Sequence, residues 1–135
     1  MYEYHEKTGW ADGGCIIYKQ NMNKEIVGSY DYECVEDGVD PICCGEITGY
    51  VRATRNLGEF DITFQIYDED DAYFTGFFDC KDDEQLCRMF RAIVNIFKDY
   101  REHLIWNMRD TYRTIKKEIE LILEDDCGEL HSEIY

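Results

Sequence analysis

The stretch FDITFQIYDEDDAYFTGFF, residues 60–78, decides the fold class because it holds two strand-like runs joined by a short acidic link. Apolar and polar residues alternate along 60–67, which is the period of a strand with one buried face. The second run, 72–78, is rich in aromatic residues, which are frequent in strands. Because only residues 68–71 separate the two runs, they are predicted to pair as antiparallel neighbours.

Three further runs upstream are also predicted to be strands. They are residues 14–20, 26–34 and 46–55, and polar or glycine-containing links separate them. Short connections favour antiparallel pairing between consecutive strands. The N-terminal half of the chain is therefore predicted to form an antiparallel sheet of about five strands.

After residue 80 the apolar period changes from two to about 3.6, which is typical of an amphipathic helix. Apolar residues recur at steps of three and four from Leu86 to Ile122, and Asp79 is predicted to cap the first turn. No glycine or proline interrupts this segment, so it allows one helix of about forty residues or two helices. Typical helix lengths favour a break, which is placed near Lys98–His103.

The predicted fold class is α+β. An antiparallel sheet of about five strands is followed by a long or broken C-terminal helical segment packed on one face. The length of 135 residues suits a single domain over 1–135, with the sheet at about 14–78 and the helical part at about 81–126.

Charge is the strongest functional signal in the sequence. Thirty acidic and fourteen basic residues give a formal net charge of −16, about twice the upper end of what a small domain needs for solubility, roughly 2 to 8. The excess is uneven, because residues 1–80 carry −12 and residues 81–135 carry −4. Such a field repels nucleic acid and anionic membranes and attracts basic protein surfaces. Solubility alone is the alternative explanation.

The acidic residues are grouped in clusters, and the predicted partner-binding residues come from three of them. These residues are Glu36, Asp37, Asp40, Asp68, Glu69, Asp70, Asp71, Asp82 and Asp83. A fourth cluster, 124–126, ends the helical segment, where the helix dipole disfavours anions. That placement favours selection for a negative surface. The alternative for 68–71 is a turn that keeps a hairpin from aggregating.

Seven cysteines suggest a second hypothesis, a structural zinc site. The candidate ligands are Cys34, Cys43, Cys44, Cys80 and Cys87, with Cys127 and His131 as a further pair if the C-terminus is ordered. Zinc sites are usually built around a close CxxC-type pair, which this chain lacks. Small buried hydrophobic residues are therefore the favoured interpretation of the cysteines. A disulfide framework is not expected, because the N-terminus has no secretory signal and the cytoplasm is reducing.

No catalytic motif is found. The chain has no nucleophile elbow, no phosphate-binding glycine loop and no calcium-loop pattern. Four acids in a row at a hairpin tip point outward, whereas catalytic carboxylates converge in a cleft. Tyrosines near the strands (Tyr30, Tyr32, Tyr50, Tyr67 and Tyr73) are either sheet packing or interface residues. The chain is therefore expected not to be an enzyme.

In its small size, its acidity and its lack of a catalytic signature, the chain resembles phage-encoded anti-CRISPR inhibitors of bacterial defence. Some members of that class imitate the charge of DNA and block the nucleic-acid groove of a nuclease. Acidic immunity proteins, which neutralise basic toxin nucleases, are similar in the same respects. The resemblance lies in overall character, so it transfers no site residue.

The resemblance implies a non-enzymatic inhibitor that binds a basic nucleic-acid-processing protein, with a Cas nuclease as first candidate. The alternatives are an immunity protein or antitoxin, and a zinc-stabilised interaction domain. No direct contact with nucleic acid or membrane is expected. The expected location is the cytoplasm of a bacterial host cell, as a monomer or a dimer.

Overall fold

The computed structural model describes residues 2–10, 18–20, 24–36, 47–68, 72–106 and 108–135. At 2–10, 18–20, 24–25, 32–36, 47, 68, 101–106 and 108 the description is of the backbone alone. The strands in this part of the chain are β1 Tyr2–Trp10, β2 Tyr18–Gln20, β3 Lys24–Glu36, β4 Ile47–Asn56, β5 Glu59–Asp68, β6 Tyr73–Cys80 and β7 His131–Ile134. The helices are α1 Asp83–Trp106 and α2 Met108–Ile122.

The strands form one antiparallel sheet in the order β1-β3-β4-β5-β6-β7, and β2 also pairs with β3. The α+β class and the order of sheet followed by helices are therefore confirmed. Two strands were not predicted: β1, within the first ten residues, and β7, which returns from the end of α2 to pair with β6. Of the predicted strand 14–20, only 18–20 lies within the described residues.

The core lies between one face of the sheet and the two helices. Alternate residues of β4, β5 and β6 point inward, and the apolar stripe of the helices covers them, as the two periods predicted. The largest fully buried side chains are Tyr30, Tyr112, Phe64, Phe74, Phe78, Phe90, Phe97, Ile62, Ile66, Leu86 and Ile93. The opposite face of the sheet is called the outer face below.

The helical segment is two helices, and the second folds back along the first. Near the start of α1, Arg88 contacts Glu124, just past the end of α2, while the Tyr100 hydroxyl donates to Glu118 at 2.9 Å. The predicted break near Lys98–His103 is wrong in position, because α1 continues to Trp106. Nothing in the apolar period marks the end of α1, since the segment has no glycine or proline.

The turn between β4 and β5 carries the one positive-φ residue other than glycine in the described ranges. The pair Asn56 and Glu59 closes a two-residue loop in which Leu57 has φ 44° and Gly58 has φ 89°. Both angles are those of a type I′ hairpin turn, whose first position favours asparagine or aspartate. Leu57 is 96% exposed, so it makes little packing contact that would offset its strained backbone.

Replacing Leu57 with asparagine should therefore raise the free energy of unfolding by about 0.5–1 kcal/mol, since a left-handed conformation is costly for leucine and tolerated by asparagine. Chemical denaturation at equilibrium measures the change. Leu121→Asn is the matched control, because Leu121 is 84% exposed in α2. There the same substitution should cost a few tenths of a kcal/mol, because asparagine is the poorer helix former. Equal effects at both positions would contradict the backbone explanation.

Candidate functional site

The acidic candidates that have described positions lie at both ends of the sheet. The register pairs Cys34 with Ile47 and Ile47 with Asp68, so the end of β3, the start of β4 and the end of β5 lie together. We call this the Asp68 end. Glu36 and Asp68 belong to it by their backbone positions. The other five candidates of these two clusters lie outside the described residues: Asp37, Asp40, Glu69, Asp70 and Asp71.

Asp82 and Asp83 lie at the opposite end of the sheet. We call this region the Asp82 end. It comprises the end of β6, the β4–β5 turn, the start of α1 and the end of α2. The eight residues of β6 separate the two ends, a distance of about 25 Å at 3.3 Å per residue. The Gly128 amide donates to the Asp79 carbonyl at 2.8 Å, so the segment after α2 also reaches this end. The predicted partner-binding residues with described positions therefore form two groups and not one continuous face.

Asp82 is the N-cap of α1. Its carboxylate accepts a hydrogen bond from the Gln85 amide at 2.8 Å, and its carbonyl accepts the first helical bond from Leu86 at 3.0 Å. The predicted cap, Asp79, is wrong, because β6 continues to Cys80 and keeps Asp79 in the sheet. Asp82 therefore stabilises the helix as well as adding charge.

Three cations at the Asp82 end pair with acids. Arg55 binds both carboxylate oxygens of Asp83 at 3.0 Å. Lys81 contacts Asp126 at 2.7 Å and Arg88 contacts Glu124 at 2.8 Å. The hydrogen bond and charge attraction raise the pKa of Lys81 and lower that of Asp126. These ion pairs explain why acidic residues follow α2. Glu124 pairs with Arg88 near the start of α1, and Asp126 pairs with Lys81 just before α1.

Four further carboxylates at the Asp82 end are accessible. Asp79, Glu84, Asp125 and Glu129 are exposed, and no lysine or arginine in the described part of the chain lies within 4.0 Å of them. Asp83, though paired, keeps a side chain that is 55% exposed. The Asp82 end thus presents more negative than positive groups to solvent, and Asp79, Glu84, Asp125 and Glu129 were not among the predicted site residues.

Cys80 and Cys127 lie together beneath the Asp82 end. Burial, followed by the contact with the Cys127 thiol, raises the pKa of Cys80 well above its ordinary value. Cys87 is half-buried in α1. Among the described residues no three His, Cys, Asp or Glu side chains converge as metal ligands would. The side chain of Cys34, and Cys43 and Cys44 as a whole, lie outside the described residues, so zinc binding stays a hypothesis.

The raised pKa makes Cys80 a poor nucleophile in the folded state. At pH 8 iodoacetamide should modify Cys80 at least about tenfold more slowly in native protein than in urea, because only the thiolate reacts. Peptide mapping by mass spectrometry measures both rates. The stability that this protonated thiol contributes is complete below the unfolded pKa of 9.0 and falls as the pH rises beyond it. Equal rates in native protein and in urea would contradict the burial of this thiol.

His131 does not form the predicted pair with Cys127. Its ring stacks on Phe77 with centroids 4.9 Å apart, on the exposed outer face. Cys127 instead packs against the core and the Cys80 thiol. The two side chains therefore have different surroundings, and neither needs a metal to explain its position.

The outer face of β6 and β7 carries a row of aromatic side chains that the sequence did not indicate as a unit. Phe77 is 48% and Tyr135 52% exposed. The Tyr135 ring stacks on Tyr73 at 4.5 Å, and its hydroxyl donates to Glu133 at 2.9 Å. Hydrogen bonding to Glu133 and then to Tyr73 raises the pKa of Tyr135 to about 12. Without β7 in the prediction, these contacts could not be inferred.

The tyrosines considered from the sequence divide between the core and the outer face. Tyr30 is fully buried, whereas Tyr67 is 40% exposed and pairs across strands with the half-buried Tyr73. Tyr50, also half-buried, donates a hydrogen bond to Gln65 at 3.2 Å. The side chain of Tyr32 lies outside the described residues. Sheet packing therefore explains Tyr30, and the other three contribute to the outer face.

Compared with known proteins, the chain matches no family model, no curated protein and no solved structure. Neither described helix is long and apolar enough to cross a membrane. The chain is thus an acidic α+β protein with helices on one sheet face, exposed aromatic side chains on the other and acidic groups at both ends of the sheet.

Proposed function

We propose that this chain is a non-enzymatic acidic inhibitor that binds a basic nucleic-acid-binding surface of a partner protein. The observation that carries the proposal is the net charge of −16 in 135 residues. A protein with this charge repels nucleic acid and anionic membranes and attracts a groove that is rich in lysine and arginine. A bacterial CRISPR effector nuclease is the first candidate for the partner, in the cytoplasm of the host cell.

The distribution of the acids supports an extended contact. Acidic groups occur at both ends of the sheet, about 25 Å apart along β6. That separation corresponds to about seven phosphate steps of duplex DNA at 3.4 Å per step along each strand. A groove that holds a length of duplex offers cations over the same span, so both acidic ends can bind in one such groove.

The internal ion pairs define which acids are best suited to a partner. Asp82 caps α1 and Asp83 binds Arg55, so a partner would have to compete with existing contacts there. Glu36 and Asp68 lie at the Asp68 end by their backbone positions, and in sequence each is followed by further acids. We therefore assign the larger share of binding to the Asp68 end, with the exposed carboxylates of the Asp82 end as a second contact.

Recovery of the partner tests the proposal. The tagged protein is incubated with bacterial lysate at low salt, and bound proteins are released with duplex DNA and identified by mass spectrometry. The expected result is a basic nucleic-acid-processing protein that DNA displaces, because both ligands use the same groove. A recovered set that DNA does not release would contradict the proposal. A basic toxin in that set would favour the immunity-protein alternative over a Cas nuclease.

A further inference from the structure

One arginine on the outer face, Arg52, has its guanidinium group bound by both an aromatic ring and a carboxylate. Arg52 of β4 lies over the Tyr50 ring, 3.9 Å from its centroid, and contacts the Asp31 carboxylate at 3.5 Å. The guanidinium is thus held by one aromatic ring and one carboxylate on neighbouring strands. Arginine suits this pairing because its planar cation stacks on rings and binds carboxylates at the same time.

The same combination recurs at the β6–β7 edge without a described cation. The register pairs Phe77 with His131 and Thr75 with Glu133, so these four side chains share the outer face. The stacked Phe77 and His131 rings supply an aromatic platform beside the Glu133 carboxylate. No lysine or arginine in the described ranges lies within 4.0 Å of Glu133, whose described polar partner is the Tyr135 hydroxyl.

A hollow marks this position. It has a volume of about 560 Å³ and is lined by Thr75, Phe77, Leu130, His131, Ser132 and Glu133. On the outer face its lining combines the Phe77 and His131 rings, the Thr75 hydroxyl and the Glu133 carboxylate, whereas Ser132 pairs with Gly76 and alternates to the other face. A hydroxyl beside a carboxylate can accept some of the several N–H donors that a guanidinium presents.

We propose that this hollow binds an arginine side chain from the basic surface of the partner protein. The proposal rests on the proposed function, from which it takes the cationic partner. Charge complementarity selects the occupant, because a chain of net charge −16 attracts cations and Glu133 provides a local anionic anchor. The aromatic rings select arginine over lysine, since the ammonium group is more strongly hydrated and cannot stack as a plane. The acidic ends would then guide the partner, and the hollow would fix its register.

The probes for the test are two blocked peptides, tetra-arginine and tetra-lysine, added to the full chain at about 0.15 M salt, where long-range attraction is screened. Backbone amide NMR signals locate binding and titration gives the affinity. Tetra-arginine should shift the signals of Thr75, Phe77, His131 and Glu133 and should bind about threefold more tightly than tetra-lysine. Equal affinities, or shifts concentrated elsewhere, would overturn the inference.

Two variants with matched controls separate the hollow from net charge. Phe77→Ala and Glu133→Gln should each weaken tetra-arginine binding about three- to fivefold. Leu121→Ala removes a large apolar side chain and Glu120→Gln a carboxylate, both from exposed positions on α2, and both should leave the affinity within about 1.5-fold of wild type. Equal losses in the variants and their controls would mean that the hollow has no special role in binding. Sedimentation velocity that showed a dimer abolished by Phe77→Ala would also overturn the inference, by making a second copy the occupant.

The recovered partner distinguishes failure of this inference from failure of the proposed function. If Phe77→Ala and Glu133→Gln leave partner affinity unchanged while salt weakens it, the hollow is not used and the acidic-inhibitor function stands. If neither salt nor these variants changes partner affinity, both proposals are wrong. A three- to fivefold loss in either variant, together with salt sensitivity, is the result that both proposals expect.

Discussion

Phe64→Ala should lower the free energy of unfolding by about 3–5 kcal/mol, as is usual for a buried phenylalanine whose ring leaves a cavity. Phe64 is 2% exposed at the centre of β5, and its ring lies 4.8 Å from that of Phe74 and 5.6 Å from that of Phe97. It therefore joins β5, β6 and α1. Urea denaturation followed by circular dichroism measures the loss. A loss below about 1 kcal/mol would contradict this packing, because it is smaller than the free energy gained when a phenylalanine ring is transferred from water to the core.

The contact between Gly76 and the Phe64 ring gives a second test of the packing around Phe64. A Cβ at this position would lie 2.3 Å from the tip of the Phe64 ring, so the ring uses the space that glycine leaves. Gly76→Ala should cost about 1–3 kcal/mol in the wild-type protein, because the core is overpacked. In the Phe64→Ala background the same change should cost little, since the added methyl enters the vacated space. A double-mutant cycle without coupling would contradict the contact.

Neutralising the acid cluster 68–71 should reduce partner affinity by at least about fourfold and by up to several hundredfold, because four intermolecular pairs at about 0.2–1 kcal/mol each sum to about 0.8–4 kcal/mol. The variant combines Asp68→Asn, Glu69→Gln, Asp70→Asn and Asp71→Asn, which changes the net charge from −16 to −12. Isothermal titration calorimetry with the recovered partner measures the loss. The reduction should come mainly from slower association, since these charges steer the encounter.

A second four-site variant controls for total charge. It combines Asp99→Asn, Glu120→Gln, Asp125→Asn and Glu129→Gln, all at exposed positions, and it has the same net charge of −12. Of these, Asp125 and Glu129 lie at the Asp82 end, so a small loss is expected from them. A loss equal to that of the Asp68-end variant would mean that the cluster has no special role in binding.

The sequence predicted the elements that have a clear local period and missed those that depend on distant partners. Alternation over 60–67 predicted β5, and steps of three and four predicted the helices. The four residues of β7 have no such signal, and they form a strand because they pair with β6, more than fifty positions earlier. The cap was misplaced because Asp79 and Asp82 are equally suitable in sequence, and only the length of β6 decides between them.

The candidate site could be predicted in composition but not in arrangement. The sequence gives the number of acids and their clusters, whereas the strand register decides which clusters share an end of the sheet. Ion pairs such as Arg55–Asp83 and Lys81–Asp126 join residues 28 and 45 positions apart. The outer-face hollow depends on the pairing of His131 with Phe77, which no local pattern indicates. The net charge could therefore be predicted from the sequence, whereas the division of the acidic groups between the Asp68 end and the Asp82 end could not.

We propose that acidic groups on this chain bind the nucleic-acid groove of a basic partner. The most direct test is the association constant of the purified protein with the recovered partner, measured from about 0.05 to 0.5 M salt, with and without competing duplex DNA. We expect the association constant to fall by at least about tenfold over this range, and we expect DNA and the protein to exclude one another from the partner. An association constant that is independent of salt, or simultaneous binding of DNA and the protein, would contradict it.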